Sequence, residues 1–457
     1  MQIKPFKAFR FDEAVVGDVG SCIAPPYDVI SDAQQEQLYK KSKHNIVRII
    51  KGKTTASDNS ENNQYTRAAD YLNNWIEQGA LKQDTAETIY AYVQDFELAG
   101  PATAPAFRAT AGSAPTSAET STRYQRFSFI ALAKLEEFGK TVRPHEQILD
   151  GPMLDRLNLK RATTARFGLV LMLYEDEQRI ADIIIKQAVT TESLIDFIDE
   201  QNVRHRLFTI TAKEDIEQIV KMMNDKSCII ADGHHRYTTA LTYYKESGNT
   251  AAQYQMLAFA NTSQKGLIVL ATHRLVGNLE NFRYEKLITE LKENFELTEF
   301  KFDSPQTKMD ARQKMLAQMK SEHNNDKNAF GIYCSNSAFY VAVLRNKQAM
   351  DPVVPDMSSA WKTLDVSILH KLILEQLLGI DEERLAKGEN LQYVKDTPNA
   401  IDESISQVDA GRKQVAFFMN PIRIQQLKMV TEAGERMPQK STYFYPKVYT
   451  GLTIQKL

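Results

Sequence analysis

Five consecutive residues, Asp232-Gly233-His234-His235-Arg236, put four different chemistries at one point of the chain. His234, His235 and Arg236 all donate to oxyanions, and an arginine can grip a phosphate with two parallel hydrogen bonds. Gly233 lets the backbone approach a ligand closely or take a positive φ. Asp232 suits a Mg²⁺ ion or a proton in transit. A structural turn needs only the Asp and the Gly, so the pattern reads as a phosphate-handling centre.

Other residues could share that chemistry. In Arg143-Pro144-His145-Glu146 the last two side chains point apart on an extended chain and reach one ligand only where the chain bends, as Pro144 permits. Glu146 is the candidate general base, because a carboxylate can take a hydroxyl's proton but is too anionic to hold phosphate. A structural ion pair is the alternative for His145 and Glu146. Arg143 and Arg156, the latter beyond the turn signal Asp150-Gly151-Pro152, are candidate phosphate ligands. Asp28, in Ala24-Pro25-Pro26-Tyr27-Asp28, is either a further catalytic acid or part of a rigid turn. Lys440-Ser441-Thr442 resembles a phosphate-binding triple but lacks the Gly-rich loop of a Walker motif. Thr272-His273-Arg274, at the expected end of a strand, adds His273 and Arg274 to the phosphate candidates.

The elements that must position these groups follow from periodicity and turn signals. Cys228-Ile229-Ile230-Ala231 is a short apolar strand and Tyr237 to Ser247 a helix, so the motif is expected at a strand-to-helix turn. There, backbone N–H groups and the positive end of a helix dipole favour an anion. Ser31-Asp32-Ala33-Gln34 has capping-box spacing for a helix to Ser42, and the apolar spacing from Tyr65 to Gln78 predicts another helix. Strands are expected at Ile46–Ile50, Ile89–Val93, Phe127–Leu132, Gly168–Tyr174, Ile183–Ile185, Leu257–Ala260 and Leu267–Leu270, with helices at Arg156–Ala165 and Glu192–Gln201. The Ala-, Thr-, Ser-, Pro- and Gly-rich stretch 98–123 reads as a flexible insertion, passive or a lid. Past residue 275 the pattern changes to charged helices at 284–294 and 305–322, strands at Phe330–Cys334, Ala338–Leu344 and Val415–Met419, and an apolar helix from Leu364 to Leu378.

The expected fold class is therefore α/β (α+β), a mixed sheet with helices, in two domains at 1–275 and 276–457. With 56 Lys and Arg against 58 Asp and Glu, the net charge of −2 provides no field for gathering a nucleic acid. Three scattered cysteines fit reduced thiols, and neither a signal-peptide core nor a run of 18 apolar residues occurs. A cytoplasmic protein without membrane contact is expected.

Pro25-Pro26-Tyr27-Asp28-Val29, Arg143 to Glu146, Asp150-Gly151-Pro152, Ala231 to Tyr237, Thr272-His273-Arg274 and Met437 to Lys447, in this order, resemble the bacterial and archaeal domain-of-unknown-function family 1015. More distantly, Asp232 to Arg236 resemble the Asp-Gly-His-type motif of the free-serine kinases in the ParB/sulfiredoxin superfamily. The motif has no cysteine, so sulfiredoxin chemistry is not implied. This resemblance implies a ParB/sulfiredoxin-like nucleotide-binding core, with His234, His235 and Arg236 on the phosphate chain and Asp232 on a metal or hydroxyl. It leaves the base to Glu146 or Asp28. The expected function is phosphoryl transfer between ADP or ATP and a small hydroxyl metabolite, most plausibly serine and phosphoserine, with Mg²⁺ bridging phosphates. A phosphatase and a ParB-like nucleotide-binding regulator are the alternatives. The expected partners are metabolite and nucleotide, with a homodimer left open.

Overall fold

A computed structural model describes residues 1–99, 121–146 and 150–457. The described chain forms two compact units, one of Met1–Pro144, Ile148–Ile268 and Pro446–Leu457, the other of His145–Gln147 and Val269–Tyr445. The last twelve residues thus return to the first unit.

The first unit is built on a nine-stranded mixed sheet. Its strands are β1 (Ile3–Lys4), β2 (Ile89–Ala99), β3 (Ser121–Lys134), β4 (Val142–Pro144), β5 (Val170–Tyr174), β6 (Ile195–Ile198), β7 (Arg204–Ile210), β8 (Cys228–Asp232) and β9 (Tyr254–Asn261). They run in the order β4-β8-β5-β9-β3-β2-β7-β6, with β1 on β3. Two neighbours are parallel, β4 with β8 and β5 with β9. The rest of the sheet is antiparallel. All of β5 and the first four residues of β8 are buried, as strands covered on both faces must be. The core includes Ile89, Phe129, Met172, Ile230, Tyr237 and Phe259. A second cluster gathers Leu72, Trp75, Ile46, Ile49, Leu159 and Phe167.

The register of β8 against β5 slips between Ile230 and Asp232. In an unbroken strand Asp232 would share the face that Ile230 buries in the core, and the bulge re-aims it.

Several local readings change. Ile46–Ile50 is not a strand: Val47–Ile50 is a helical turn, whose first N–H donates to the Asn45 side chain at 2.9 Å. That hydrogen bond and the burial of Val47, Ile49 and Ile50 outweigh β-propensity. Ile183–Ile185 lies in a helix, Ile180–Ala188, which buries Ile184 and Ile185 and leaves Ile183 exposed. The expected helix at Glu192–Gln201 is replaced by β6, an edge strand paired with β7. The helix before Arg156 already starts at Asp150, and it ends at Thr163. Both ends of the expected insertion at 98–123 are paired strand up to Ala99 and from Ser121. Its middle lies outside the described residues.

The second unit holds a six-stranded antiparallel sheet of β10 (Thr272–Val276), β11 (Phe295–Lys301), β12 (Ala329–Tyr333), β13 (Ala338–Leu344), β14 (Leu391–Lys395) and β15 (Val415–Phe418). The order is β11-β13-β12-β15-β10-β14. The helix Pro305–Asn324 opens with a capping box on Ser304 and sends Ala311, Met315 and Met319 into the core below β12 and β13. Thr272-His273-Arg274 does not close a strand; it begins β10, and all three residues are buried. Among the described residues no helix is long and apolar enough to cross a membrane.

Candidate functional site

The motif stands where the sequence places it, between β8 and the helix His234–Ser247. Gly233 is the helix N-cap with φ 94°, a left-handed conformation that side chains rarely adopt, and it supplies no side-chain cap to the first turn. A Cβ at Gly233 would stand 2.9 Å from Nε of Arg236, so the missing side chain makes room for the guanidinium.

Asp232 and Arg236 are bound to each other. Arg236 NH2 donates to Asp232 Oδ2 at 2.6 Å, and Lys447 Nζ donates to Oδ1 at 2.7 Å. Arg236 NH1 donates to the Leu169 carbonyl. Burial alone would raise the Asp232 carboxyl, but the charges of Lys447 and Arg236 outweigh it and hold the group well below the usual carboxylate range. Asp232 is therefore a permanent anion that fixes two cations. With both oxygens so engaged it does not fit a resident Mg²⁺, and among the described residues no group of three or more His, Cys, Asp and Glu is placed to hold a metal ion. His234 is buried and His235 half-buried on the first helical turn.

Beside the motif, a pocket with about 550 Å³ of empty space, open mouth included, has Tyr27, Arg156, Lys160, Arg166, Gly168 and Arg236 in its lining. Arg156 stacks its guanidinium 3.9 Å from the centre of the Tyr27 ring, donates to the Ile50 carbonyl at 2.7 Å and pairs with Asp155. Burial raises the Tyr27 phenol, and Asp28 adds to the rise while Arg156 and Arg236 oppose it. Asp28 itself is exposed on the short turn Tyr27–Val29. Arg143, on β4 opposite Ile229, is held at the edge of the same sheet.

Lys160, Arg166 and Lys447 were not expected here. A signal for Lys160 existed: Arg156 and Lys160 are four apart on the helix Asp150–Thr163 and share a face. Lys447 carried no local signal, because its partner lies 215 positions away.

The second unit gathers a different set. His145 Nε2 lies 2.8 Å from the Thr442 hydroxyl, and the Glu146 carboxylate accepts the Lys440 N–H. Lys440 has φ 55°, its side chain is exposed, and its carbonyl accepts from Arg274 NH2 at 3.1 Å. Ser441 is buried and donates to the Pro438 carbonyl. Met437 N–H donates to the His145 carbonyl at 2.8 Å, so 145–146 and 437–442 form one clasp. His273 accepts the Met419 N–H at 3.2 Å, and Arg274 lies 5.3 Å from the Tyr393 ring. Burial pulls the Arg274 guanidinium down to about 10, against the pull of Tyr393 and Glu146. The buried His273 and Arg274 thus support the sheet and the 440 turn rather than standing at an accessible strand end.

A family model described as a protein of unknown function, DUF1015, matches residues 3–112 and 114–367, and the chain belongs to that family. No curated protein matches the chain. Among solved structures it is similar to a free serine kinase variant in complex with AMP, at 10% identity over 68% of this chain and 92% of that one, TM-score 0.33. It is also similar to a conserved hypothetical protein from Pyrococcus furiosus, at 12% identity over 71% and 97%, TM-score 0.31. SbnI with a C-terminal truncation, from Staphylococcus aureus, aligns at 8% identity over 70% and 84%, TM-score 0.32.

Proposed function

We propose that the protein is a phosphotransferase that moves a phosphoryl group between a nucleotide and a small hydroxyl metabolite, serine or phosphoserine first among them. The observation that supports this is the Asp232–Arg236 turn: a helix N-terminus capped by a glycine, with Arg236 held in place by Asp232. Such a terminus favours an anion through its backbone donors and its dipole. Phosphoryl transfer asks a protein mainly to position reactants and to stabilise charge on the transferring oxygens. Arg236 does not have to be ordered when phosphate arrives, since Asp232 and the Leu169 carbonyl already fix it. Lys447, on the other oxygen of Asp232, adds a second positive charge to the same turn.

Two acids are candidates to take the hydroxyl's proton. Asp28 is exposed on the first unit next to Tyr27, and Glu146 belongs to the clasp of the second.

The test is ³¹P NMR of the protein with magnesium ADP and phosphoserine, and in the other direction with magnesium ATP and serine. The reading predicts paired changes, one nucleotide phosphate appearing or vanishing with each phosphoserine consumed or made. Inorganic phosphate released without ADP points to a phosphatase, and unchanged spectra in both directions contradict transfer to serine.

A further inference from the structure

The pocket beside the Asp232–Arg236 turn carries a charge imbalance. Of the four cations in its lining, Arg156 is paired with Asp155 and Arg236 with Asp232. Lys160 and Arg166 have only neutral partners among the described residues. Arg166 donates to the Gln255 and Gln455 side chains at 2.9 and 2.8 Å and to the Ala252 carbonyl at 3.0 Å. Lys160 makes one hydrogen bond, to Gln255 Oε1 at 3.5 Å, and its ammonium lies 5.8 Å from the centre of the Tyr243 ring. Their exposures are 8% and 3%, so neither charge is relieved by water. Burial lowers both groups; the Arg166 charge lowers Lys160 further, while Tyr243 opposes the fall of Arg166.

Two buried cations without an acid are costly to a fold, and proteins keep such groups where a ligand completes them. The arginine stays charged in any case. The remaining lining includes Ile50, Leu159, Ala165 and Phe167, an apolar wall for the body of a ligand.

We propose that this pocket binds a phosphate monoester, its dianionic head group taken by Lys160 and Arg166 with Arg156 and Arg236 beside them. A phosphate monoester carries close to two negative charges at neutral pH, enough to meet Arg166 and to favour the charged form of Lys160 that burial disfavours, whereas a carboxylate brings only one. Arg236 belongs both to this lining and to the turn, so it stands where a phosphoryl group held in the pocket borders the one held by the turn. The inference concerns binding alone and holds whether or not transfer occurs.

The test is calorimetry and thermal unfolding of the full chain with inorganic phosphate, phosphoserine and AMP as probes, on the wild type, Lys160→Met and Arg156→Ala. Lys160→Met keeps the length of the side chain and removes its charge. The expected results are binding of at least one probe by the wild type and a roughly ten- to hundredfold weaker affinity in Lys160→Met. The ligand-free Lys160→Met protein should unfold at a higher temperature than the wild type, the reverse of what a purely structural lysine would give. The arms separate the sources, since preference for phosphoserine or for AMP shows which monoester fits, and equal binding of all three places recognition in the head group. Wild-type affinity in a folded Lys160→Met protein overturns the proposal, as does absence of binding by all three probes. If Lys160→Met does not fold, Arg156→Ala decides in the same way, with unchanged affinity counting against. ADP binding that survives while these probes fail to bind removes this pocket and leaves the transfer reading standing.

Discussion

Lys447 and Asp232 are 215 positions apart in sequence and 2.7 Å apart in space, and Arg236 takes the second oxygen of the same carboxylate. The contact ties the returning end of the chain to the strand that carries the motif. Removing the acid leaves two half-buried cations without their shared partner, so Asp232→Asn should cost about 2–3 kcal/mol of stability. Lys447→Met in the same chain should restore part of it, and a double-mutant cycle by denaturant unfolding measures the coupling. Because the Asp232 carboxyl is lowered in the folded protein, its contribution is present above about pH 4 and disappears as pH falls below that. Asp232→Asn should therefore flatten the acid limb of the stability profile.

Gly233→Ala tests the turn itself. The new methyl would be forced to φ 94° and to within about 3 Å of a guanidinium that Asp232 and the Leu169 carbonyl hold still. A stability loss of about 1–2 kcal/mol is expected from the backbone alone. Nucleotide affinity should fall further than stability, as read by calorimetry with ADP. A variant with wild-type affinity would mean that the turn does not contact phosphate.

A second pH effect belongs to the second unit. Burial raises the Asp365 carboxyl to about 7, against the opposing pull of the Asn328 side chain at 2.6 Å and the charges of Arg423 and Lys347. A raised acid stabilises the fold where it is protonated in both states and loses that contribution as pH rises. Stability should accordingly decline between about pH 4 and pH 7, by on the order of 2–4 kcal/mol. Asp365→Asn should remove the decline in unfolding experiments across that window.

What could be read from sequence divides along the distance between partners. The strand, glycine turn and helix at 228–247 were legible because the apolar run, the Gly and the helical residues are contiguous. So was the helix Tyr284–Asn294, which has the expected bounds. Ile183–Ile185 was misread because a short apolar run looks alike as a strand or a buried helix until the packing face of Ile184 and Ile185 is known. Lys160 and Arg166 were overlooked because lysine and arginine are exposed by default, and only tertiary packing buries these two. His273 and Arg274 read from sequence as donors at a strand end, whereas they form the buried start of β10.

The choice of base is decided by turnover. Glu146→Gln and Asp28→Asn are nearly isosteric changes that stop proton uptake. The variant of the true base should keep nucleotide affinity while turnover falls by roughly 10²- to 10⁴-fold. Arg236→Ala should lower both. Full turnover in both acid variants would exclude either as base.

The central claim is that the Asp232–Arg236 turn holds phosphate, and a crystal structure of the protein with ADP tests it most directly. The account predicts a phosphate of the nucleotide against the backbone N–H groups at the start of the helix His234–Ser247, with Arg236 donating to it. ADP bound only elsewhere, with Arg236 still directed solely at Asp232 and Leu169, would contradict it.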